Sequence, residues 1–268
     1  MKYQRKQRKD GMSRDKRKGG SFRANRSRKP AQDPLQIPSS FPKKIMPLRL
    51  QGVYTDRMRN LYTESHAVDK RFAVYGERII MQDGSAYRMW DPSRSKLGAA
   101  VRLGISQVGI KPGSSVLYLG CASGTTVSHV ADMVGNEGRV YGLDLSPEVM
   151  RQFFRVVDQW QNVAPLVYSA SHPEEYMHLV ELVDVVFQDI AQRDQARIFL
   201  ENCQAFLKKG GFGLLSVKAK SIDVTAQPKM IFDQVEKELA SAMTVVDKRV
   251  LEPYQKGHCL FVVKKKGD

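Results

Sequence analysis

From residue 114 onward, short apolar runs alternate with segments whose apolar residues recur every three or four positions. The runs have the length and composition of buried strands: SSVLYLG, RVYGLDLS, VAPLVY, VDVVFQD and FGLLSVKA. Strands that alternate with helices predict a doubly wound α/β sheet. Ligands of such sheets bind at the carboxyl ends of the strands, near the point where the strand order reverses.

Two of the intervening segments carry helix boundary signals. Ser146 is predicted to cap a helix that begins at Pro147, in the segment PEVMRQFFRVVDQW. Its apolar face is expected to comprise Val149, Phe153, Val156, Val157 and Trp160. The other helix, DQARIFLENCQAFL, is expected to stop at KKGG, where Gly210 or Gly211 can supply a left-handed cap.

The end of the chain predicts one more helix and two strands. The helix is expected around Pro228 to Met243. The two segments that follow it are typical of a closing antiparallel pair: VVDKRVLEPY and HCLFVVKKK.

The region before the alternating pattern has short strand signals instead. In ERIIMQDGSAYRMW, Asp83-Gly84 lies between two runs rich in Ile, Tyr and Trp, which predicts a hairpin with a two-residue turn. We therefore expect three parts: a disordered basic tail and Pro-containing linker over residues 1–45, a small β-rich domain over 46–92, and the α/β domain over 93–268.

Composition favours a soluble protein with a hydrophobic core over a membrane or secreted protein. The 268 residues are 42% hydrophobic, which is enough for a proper core, and no apolar run is long enough to span a membrane. The N-terminus has no apolar signal-peptide region, so we expect a soluble protein that is not secreted. The three scattered cysteines, Cys121, Cys203 and Cys259, lack metal-ligand spacing and predict reduced thiols and no zinc site.

Most of the net charge of +15 lies in the tail. Residues 1–30 hold 13 Lys and Arg against Asp10 and Asp15, a net charge of +11. A segment with so much like charge and so few apolar residues is predicted to be disordered. Nucleic acid is the favoured partner because no amphipathic pattern suited to a membrane accompanies the charge, and the alternative is a solvated or targeting tail.

The stretch VLYLGCASGTTVSHV has the form of a strand, a glycine turn and a helix start. Gly120 and Gly124 follow the strand, and Asp144 ends the next strand, where a carboxylate can accept hydrogen bonds from two ribose hydroxyls. The pattern favours S-adenosylmethionine over NAD(P), because Gly-Cys-Ala-Ser-Gly is not the G-x-G-x-x-G of dinucleotide sites. A structural turn, with Asp144 as a helix-capping acid, is the remaining alternative.

Seven blocks of sequence, in order, resemble the motifs of the fibrillarin family, the guide-RNA-directed ribose 2′-O-methyltransferases of box C/D ribonucleoprotein particles. They are YGERI, WDPSRSKLGAA, KPGSSVLYLGCASGTTVSHVAD, GRVYGLDLSPE, DVVFQDIAQRDQARI, SVKAKSIDVTA and LEPYQKGHC. The resemblance runs from about residue 50 to the C-terminus. It implies a class I, Rossmann-like, S-adenosylmethionine-dependent methyltransferase domain behind a small β domain.

The resemblance also implies the cofactor contacts. They fall on the glycine turn, the acidic strand end, the adenine segment and the segment beside the sulfonium: Gly120, Ala122, Gly124, Thr125, Thr126, Asp144, Leu145, Ser169, Ala170, Asp189, Ile190, Ala191 and Gln192. The chain departs from the family at the adenine segment, where relatives have an acid. Ser169 cannot accept from the adenine amino group as a carboxylate would, so weakened cofactor binding is expected.

The family's catalytic Lys-Asp-Lys-His set maps onto Lys96, Asp189, Lys218 and His258. Lys218 is expected to contact the 2′-hydroxyl. It acts as a base if burial and a charged neighbour such as Lys96 lower the pKa of its amine far enough, and otherwise as a cation. Taken singly, these residues suit surface or turn positions, and it is their joint occurrence at strand ends that favours catalysis. Three histidines match no member of the catalytic set and are expected to be structural or surface residues: His129, His172 and His178.

The implied partners are a box C/D guide RNA, substrate rRNA or tRNA, a Nop-domain scaffold protein and a kink-turn-binding ribosomal-type protein. Because the tail lacks the repeated Arg-Gly-Gly motifs of nucleolar relatives, an archaeal, cytoplasmic protein is favoured over a nucleolar one. Two other functions stay open: a non-catalytic RNA-binding subunit of the same particle, which Ser169 suggests, and a nicotinamide oxidoreductase.

Overall fold

Five antiparallel strands form an N-terminal sheet in the order β1-β2-β3-β5-β4. They are β1 (Met46–Pro47), β2 (Tyr54–Thr55), β3 (Leu61–Glu64), β4 (Ile79–Gln82) and β5 (Ser85–Trp90). The computed structural model describes residues 44–267, and the predictions for the basic tail lie outside them. Ile45, the last residue of the predicted linker, is buried, and its amide donates to Gln82 Oε1 at 2.8 Å.

The predicted hairpin joins β4 and β5. Asp83 and Gly84 both have positive φ angles, 51° and 83°, as a type I′ turn requires. The hairpin prediction is confirmed.

The second sheet has seven strands in the order β11-β12-β10-β9-β6-β7-β8. The five central and edge strands from β10 to β8 are parallel, and β12 runs antiparallel to β10 and β11. The strands are β6 (Ser115–Leu119), β7 (Arg139–Leu143), β8 (Val163–Leu166), β9 (Val183–Gln188), β10 (Leu207–Lys218), β11 (Thr244–Val250) and β12 (His258–Lys264). The helices are α1 (Lys96–Arg102), α2 (Thr125–Val134), α3 (Pro147–Val157), α4 (Pro173–Tyr176), α5 (Gln195–Phe206), α6 (Ala219–Ile222) and α7 (Pro228–Ala242). The predicted strand and helix alternation and the closing antiparallel pair are confirmed.

The start of α3 follows the prediction. Ser146 Oγ accepts from the amide of Val149 at 3.5 Å, and Pro147 occupies the first turn. Phe153 and Val156 are fully buried, as expected for the predicted apolar face, and Met150 joins them. This side of α3 packs on the glycine turn at Gly124.

The predicted glycine cap of α5 is wrong. The helix ends at Phe206, and Leu207 is already extended, buried and paired with Val183 of β9. Lys265 supplies the cap, because its Nζ donates to three carbonyl oxygens at the helix end: those of Cys203 (3.1 Å), Gln204 (3.2 Å) and Leu207 (2.8 Å). The glycines lie instead in the irregular part of β10, where the register shifts between Leu207 and Phe212.

A buried charge network joins the N-terminal sheet to α2. Arg88 of β5 is fully buried and pairs with Glu77 and with Asp132 of α2, whose Oδ2 lies 2.8 Å from Arg88 Nη1. Asp132 also accepts from Trp160 Nε1 at 2.7 Å and from Thr63 Oγ1 at 2.8 Å. Because each charge is paired and hydrogen-bonded, the network fixes the N-terminal sheet against α2.

His129 extends this network as a neutral ring. Thr63 gives its proton to Asp132, so its oxygen must accept from His129 Nδ1, at 2.7 Å. His129 Nε2 then accepts from the Tyr75 hydroxyl at 2.8 Å. Burial and the charge of Arg88 hold the pKa of His129 well below its ordinary value. The prediction that His129 is structural is confirmed.

The described residues, 44–267, belong to one compact unit that contains both sheets. The division into two domains at residue 92 stays a prediction. Among the described helices, none combines the length and the apolar content that crossing a bilayer requires.

Candidate active site

The loop after β6 turns sharply at glycines. Gly120 has a φ of +82°, and a Cβ there would lie 2.7 Å from the carbonyl oxygen of Asp189. Gly124 has a φ of +89°, and a Cβ would lie 2.7 Å from Val156 Cγ2 of α3. Both positions need glycine for conformation and for space, so the turn lies directly against the β9 end and α3.

Asp144 follows β7 and faces this turn. Its Oδ2 accepts from the amide of Ala122 at 3.0 Å, and its Oδ1 accepts from the amide of Ser146 at 3.1 Å. The first bond holds Ala122 at a φ of +47°. A carboxylate oxygen accepts more than one hydrogen bond, so Asp144 keeps capacity for ribose hydroxyls. Leu145, beside it, is 63% exposed.

The start of α2 is tied to the start of α1. Thr126 Oγ1 donates to Ser95 Oγ at 3.0 Å, and Ser95 caps α1 by accepting from the amide of Gly98 at 3.1 Å. Thr126 is buried, whereas Thr125 is half-buried at the head of α2. The hydroxyl of Thr126 therefore positions α1, and Thr125 is the more accessible of the predicted pair.

The four predicted catalytic residues lie at the carboxyl end of β9 and around it. Lys96, the first residue of α1, places Nζ 2.9 Å from Oδ2 of Asp189, with side chains 30% and 15% exposed. Asp189 directly follows β9, and its amide donates to the carbonyl of Leu119 at 2.9 Å. Lys218 ends β10 and is the register partner of His258, the first residue of β12.

The charges of the other three residues affect the pKa of His258. Burial lowers its pKa below the ordinary value, and the charges of Lys96 and Lys218 act in the same direction. A hydrogen bond to the Lys256 carbonyl, at 2.9 Å from Nδ1, and the charge of Asp189 act in the opposite direction. His258 is therefore neutral at neutral pH, with Nδ1 donating and Nε2 left as an acceptor.

The predicted adenine side is formed by two neighbouring loops. Ser169 Oγ accepts from the amide of Ser171 at 3.3 Å, and Ser171 Oγ donates to Gln192 Oε1 at 3.4 Å. Ala170 is buried, and its carbonyl accepts from Asn202 Nδ2 at 2.8 Å. Ile190 is half-buried, whereas Ala191 and Gln192 are exposed. The structure thus brings the predicted adenine and sulfonium segments together.

Gln195 and Gln255 support the site and were not predicted. Gln195 is fully buried; its Nε2 donates to the Gln192 carbonyl at 2.8 Å, and its Oε1 accepts from the amide of Lys218 at 3.2 Å. Gln255 Nε2 donates to the carbonyl of Ser93 at 2.5 Å, near the start of α1. The bonds to Lys218 and Ser93 reach backbone atoms of distant segments, and a sequence pattern gives no signal of such contacts.

The shape and the polar groups of the site fit S-adenosylmethionine. A glycine cradle, an acceptor at the second strand end and an acid at the β9 end match a ribose and a sulfonium. A metal centre has no comparable support within residues 44–267, where no three His, Cys, Asp or Glu side chains converge.

Comparisons with known proteins agree with this geometry. The family model described as Fibrillarin matches residues 45–267. The Fibrillarin-like rRNA/tRNA 2′-O-methyltransferase of Thermococcus gammatolerans is 49% identical over 226 residues, which are 83% of this chain and 99% of the relative.

Two solved structures share the α/β methyltransferase fold. Aeropyrum pernix fibrillarin, in complex with natively bound S-adenosyl-L-methionine, has a TM-score of 0.75 and 37% identity, covering 82% of this chain and 97% of that one. A chain of the fibrillarin/Nop5p complex has a TM-score of 0.72 and 38% identity, covering 81% and 98%. The chain belongs to the fibrillarin family.

Proposed function

We propose that this chain transfers a methyl group from S-adenosylmethionine to a ribose 2′-hydroxyl of RNA. The observation that carries the proposal is the Lys96–Asp189 ion pair beside the glycine turn, with Lys218 and His258 around it. The name of the Thermococcus relative and the ligand of the Aeropyrum structure support it.

Residues on three loops would hold the cofactor. Asp144 would accept hydrogen bonds from the ribose hydroxyls, and the Ser169 and Ala170 loop would contact adenine. The backbone at Gly120 and Gly124, which carries no side chain, would lie against the cofactor. S-adenosylmethionine supplies an electrophilic methyl group when bound. The carboxylate of Asp189 would attract the sulfonium and hold Lys96 beside it.

Different side chains would stabilise the developing alkoxide and accept the proton. As the O2′–CH₃ bond forms and the S–CH₃ bond breaks, the hydroxyl must lose its proton. Lys218 is exposed and suits a cation that stabilises the developing alkoxide. Neutral His258 can accept a proton, whereas Asp189 is engaged by Lys96. Orientation of the two reactants by these groups contributes to the rate.

Target choice is proposed to come from a guide RNA. The chain shows no sequence signature of a module that reads bases. The solved fibrillarin/Nop5p complex supports a Nop-domain scaffold as a direct partner. We further propose a kink-turn-binding ribosomal-type protein in the same particle, rRNA and tRNA as substrates, and a cytoplasmic, archaeal setting, for which the Thermococcus relative is the support.

A particle reconstituted with isotopically labelled S-adenosylmethionine tests the function. The wild-type chain should label RNA only when a matching guide is present, and Lys218→Ala should lose at least about 100-fold of the rate. Lys220→Ala, which removes another exposed lysine close by, is the matched control. Wild-type activity in the Lys218 variant would refute the catalytic assignment.

A non-catalytic RNA-binding subunit is the second candidate, because Ser169 lacks the acid of the family motif. Titration calorimetry separates the two functions. A chain that does not bind S-adenosylmethionine at millimolar concentration would be the non-catalytic subunit.

A further inference from the structure

A cleft of about 290 Å³ opens beside the glycine turn, between α3 and the segment that precedes β4. Its lining includes Tyr75, Arg94, Ser123, Thr125, Gln152 and Arg155. Of the predicted cofactor contacts, Thr125 lines it, but Asp144, Ser169 and Asp189 do not. The cleft therefore adjoins the proposed cofactor site and extends away from it.

The cleft is positively charged. Arg94 and Arg155 line it, and its lining contains no acid. Both arginines are exposed, and within residues 44–267 neither has a carboxylate oxygen within 4.0 Å. The guanidinium of Arg94 lies 5.7 Å from the centre of the Tyr75 ring. Two guanidiniums that pair with no carboxylate of the described residues, together with the Gln152 amide and the Ser123 and Thr125 hydroxyls, suit the oxygens of a phosphate.

The backbone at Arg94 is anchored close to the reacting centre. The next residue, Ser95, is held by Thr126, and Lys96 after it reaches Asp189. On the other side, Gln255 holds the carbonyl of Ser93. The segment Ser93–Lys96 is thus anchored at both ends, and it presents Lys96 to the reacting centre and Arg94 to the cleft.

We propose that Arg94 and Arg155 bind a phosphodiester of the RNA strand that is methylated, within a few nucleotides of the target ribose. The inference rests on the proposed function, because it assigns this cleft to the RNA substrate of that reaction. The arginines would position the strand, and neither would touch the methyl group.

Two variants and one matched control test the proposal in the reconstituted particle. Arg94→Gln and Arg155→Gln remove the charges. Arg151→Gln removes an exposed arginine one turn earlier on α3 that does not line the cleft. The two cleft variants should each raise the half-saturating concentration of target RNA about tenfold, as for a lost charge-assisted hydrogen bond. The control should stay within about twofold of wild type.

Neutral methylphosphonate links, placed singly within three nucleotides of the target, identify the phosphate. With wild-type protein, one position should show the same loss as the arginine variants. Combined with Arg155→Gln, that link should add little further loss, because both changes remove one contact. Additive losses at every position would overturn the proposal.

Cofactor affinity separates this site from a subsite for the cofactor carboxylate. S-adenosylmethionine should bind both variants within about twofold of wild type, and a loss that equals the RNA effect would refute the proposal. If wild-type particles transfer no methyl group, the proposed function fails. The same RNA and protein pairs, compared by fluorescence anisotropy of target-strand binding, then still decide whether the arginines contact the phosphate.

Discussion

Lys96 Nζ and Asp189 Oδ2 lie 2.9 Å apart, although one side chain begins α1 and the other follows β9. Two contacts bring them together: the bond from Thr126 to Ser95, which places the start of α1, and the bond from the Asp189 amide to Leu119, which places the end of β9. The pair is partly exposed, so its contribution to the free energy of unfolding is at most about 1 kcal/mol. Its position beside the glycine turn is the basis of its proposed role in the reaction.

Asp189→Asn tests that role. The amide keeps the shape but loses the charge that attracts Lys96 and a sulfonium, so the single-turnover rate of methyl transfer should fall by about 100-fold or more. The melting temperature should change by only a few degrees, as expected for a partly exposed ion pair. A rate close to that of wild type would show that the ion pair is only structural.

Gly120→Ala tests the close approach of the turn to the β9 end. The new Cβ would lie 2.7 Å from the carbonyl oxygen of Asp189, at a φ of +82°. Gly84→Ala is the matched control, because Gly84 has a φ of +83° and nothing lies within 4 Å of its Cβ position. Chemical denaturation should show Gly120→Ala to be less stable than Gly84→Ala by about 1–3 kcal/mol, the cost of crowding. Equal losses would mean that only backbone strain matters at Gly120.

Ser169→Asp tests the adenine end of the site. A carboxylate there can accept from the adenine amino group, and calorimetry should show S-adenosylmethionine binding about 5- to 10-fold more tightly than in wild type. Ser169→Asn, which has the same size without the charge, is expected to gain less. No gain from the aspartate would count against the assignment of this loop to adenine.

Acid should destabilise the protein through His129. Its folded-state pKa lies well below the unfolded value of about 6.5 because burial and Arg88 disfavour the charged ring. Between these two pKa values the unfolded state binds more protons, so the free energy of unfolding falls as pH decreases below about 6.5. His258, whose pKa is also lowered, should contribute in the same direction.

Urea unfolding between about pH 5 and 7 measures this effect. His129→Phe should be less stable than wild type at pH 7 and should show a smaller loss of stability on acidification. His258→Asn separates the contribution of the second ring. An unchanged pH dependence in both variants would show that other groups cause the acid loss.

Local sequence signals predicted much of the fold. The hairpin at Asp83-Gly84, the helix start at Ser146 and the glycine turn each depend on adjacent residues, whose conformational preferences a sequence displays directly. The joint location of the four predicted catalytic residues came from the family resemblance, because they lie on separate elements.

Contacts between distant segments could not be predicted. The helix α5 is capped by Lys265 and not by a following glycine, and Arg88 is buried because Glu77 and Asp132 approach it from two other elements. Likewise, the fixed position of Lys96 depends on Thr126 and Ser95. Such partners are known only once the chain is folded.

The most direct test of the proposed reaction is mass spectrometry of RNA treated by a particle that contains this chain, a Nop-domain scaffold, a kink-turn-binding protein and a guide RNA. We predict a single methyl group on the ribose that the guide specifies, and none when that nucleotide carries a 2′-hydrogen in place of the hydroxyl. A methyl group on a base, or methylation that persists without the 2′-hydroxyl, would contradict the assignment of this chain as a ribose 2′-O-methyltransferase.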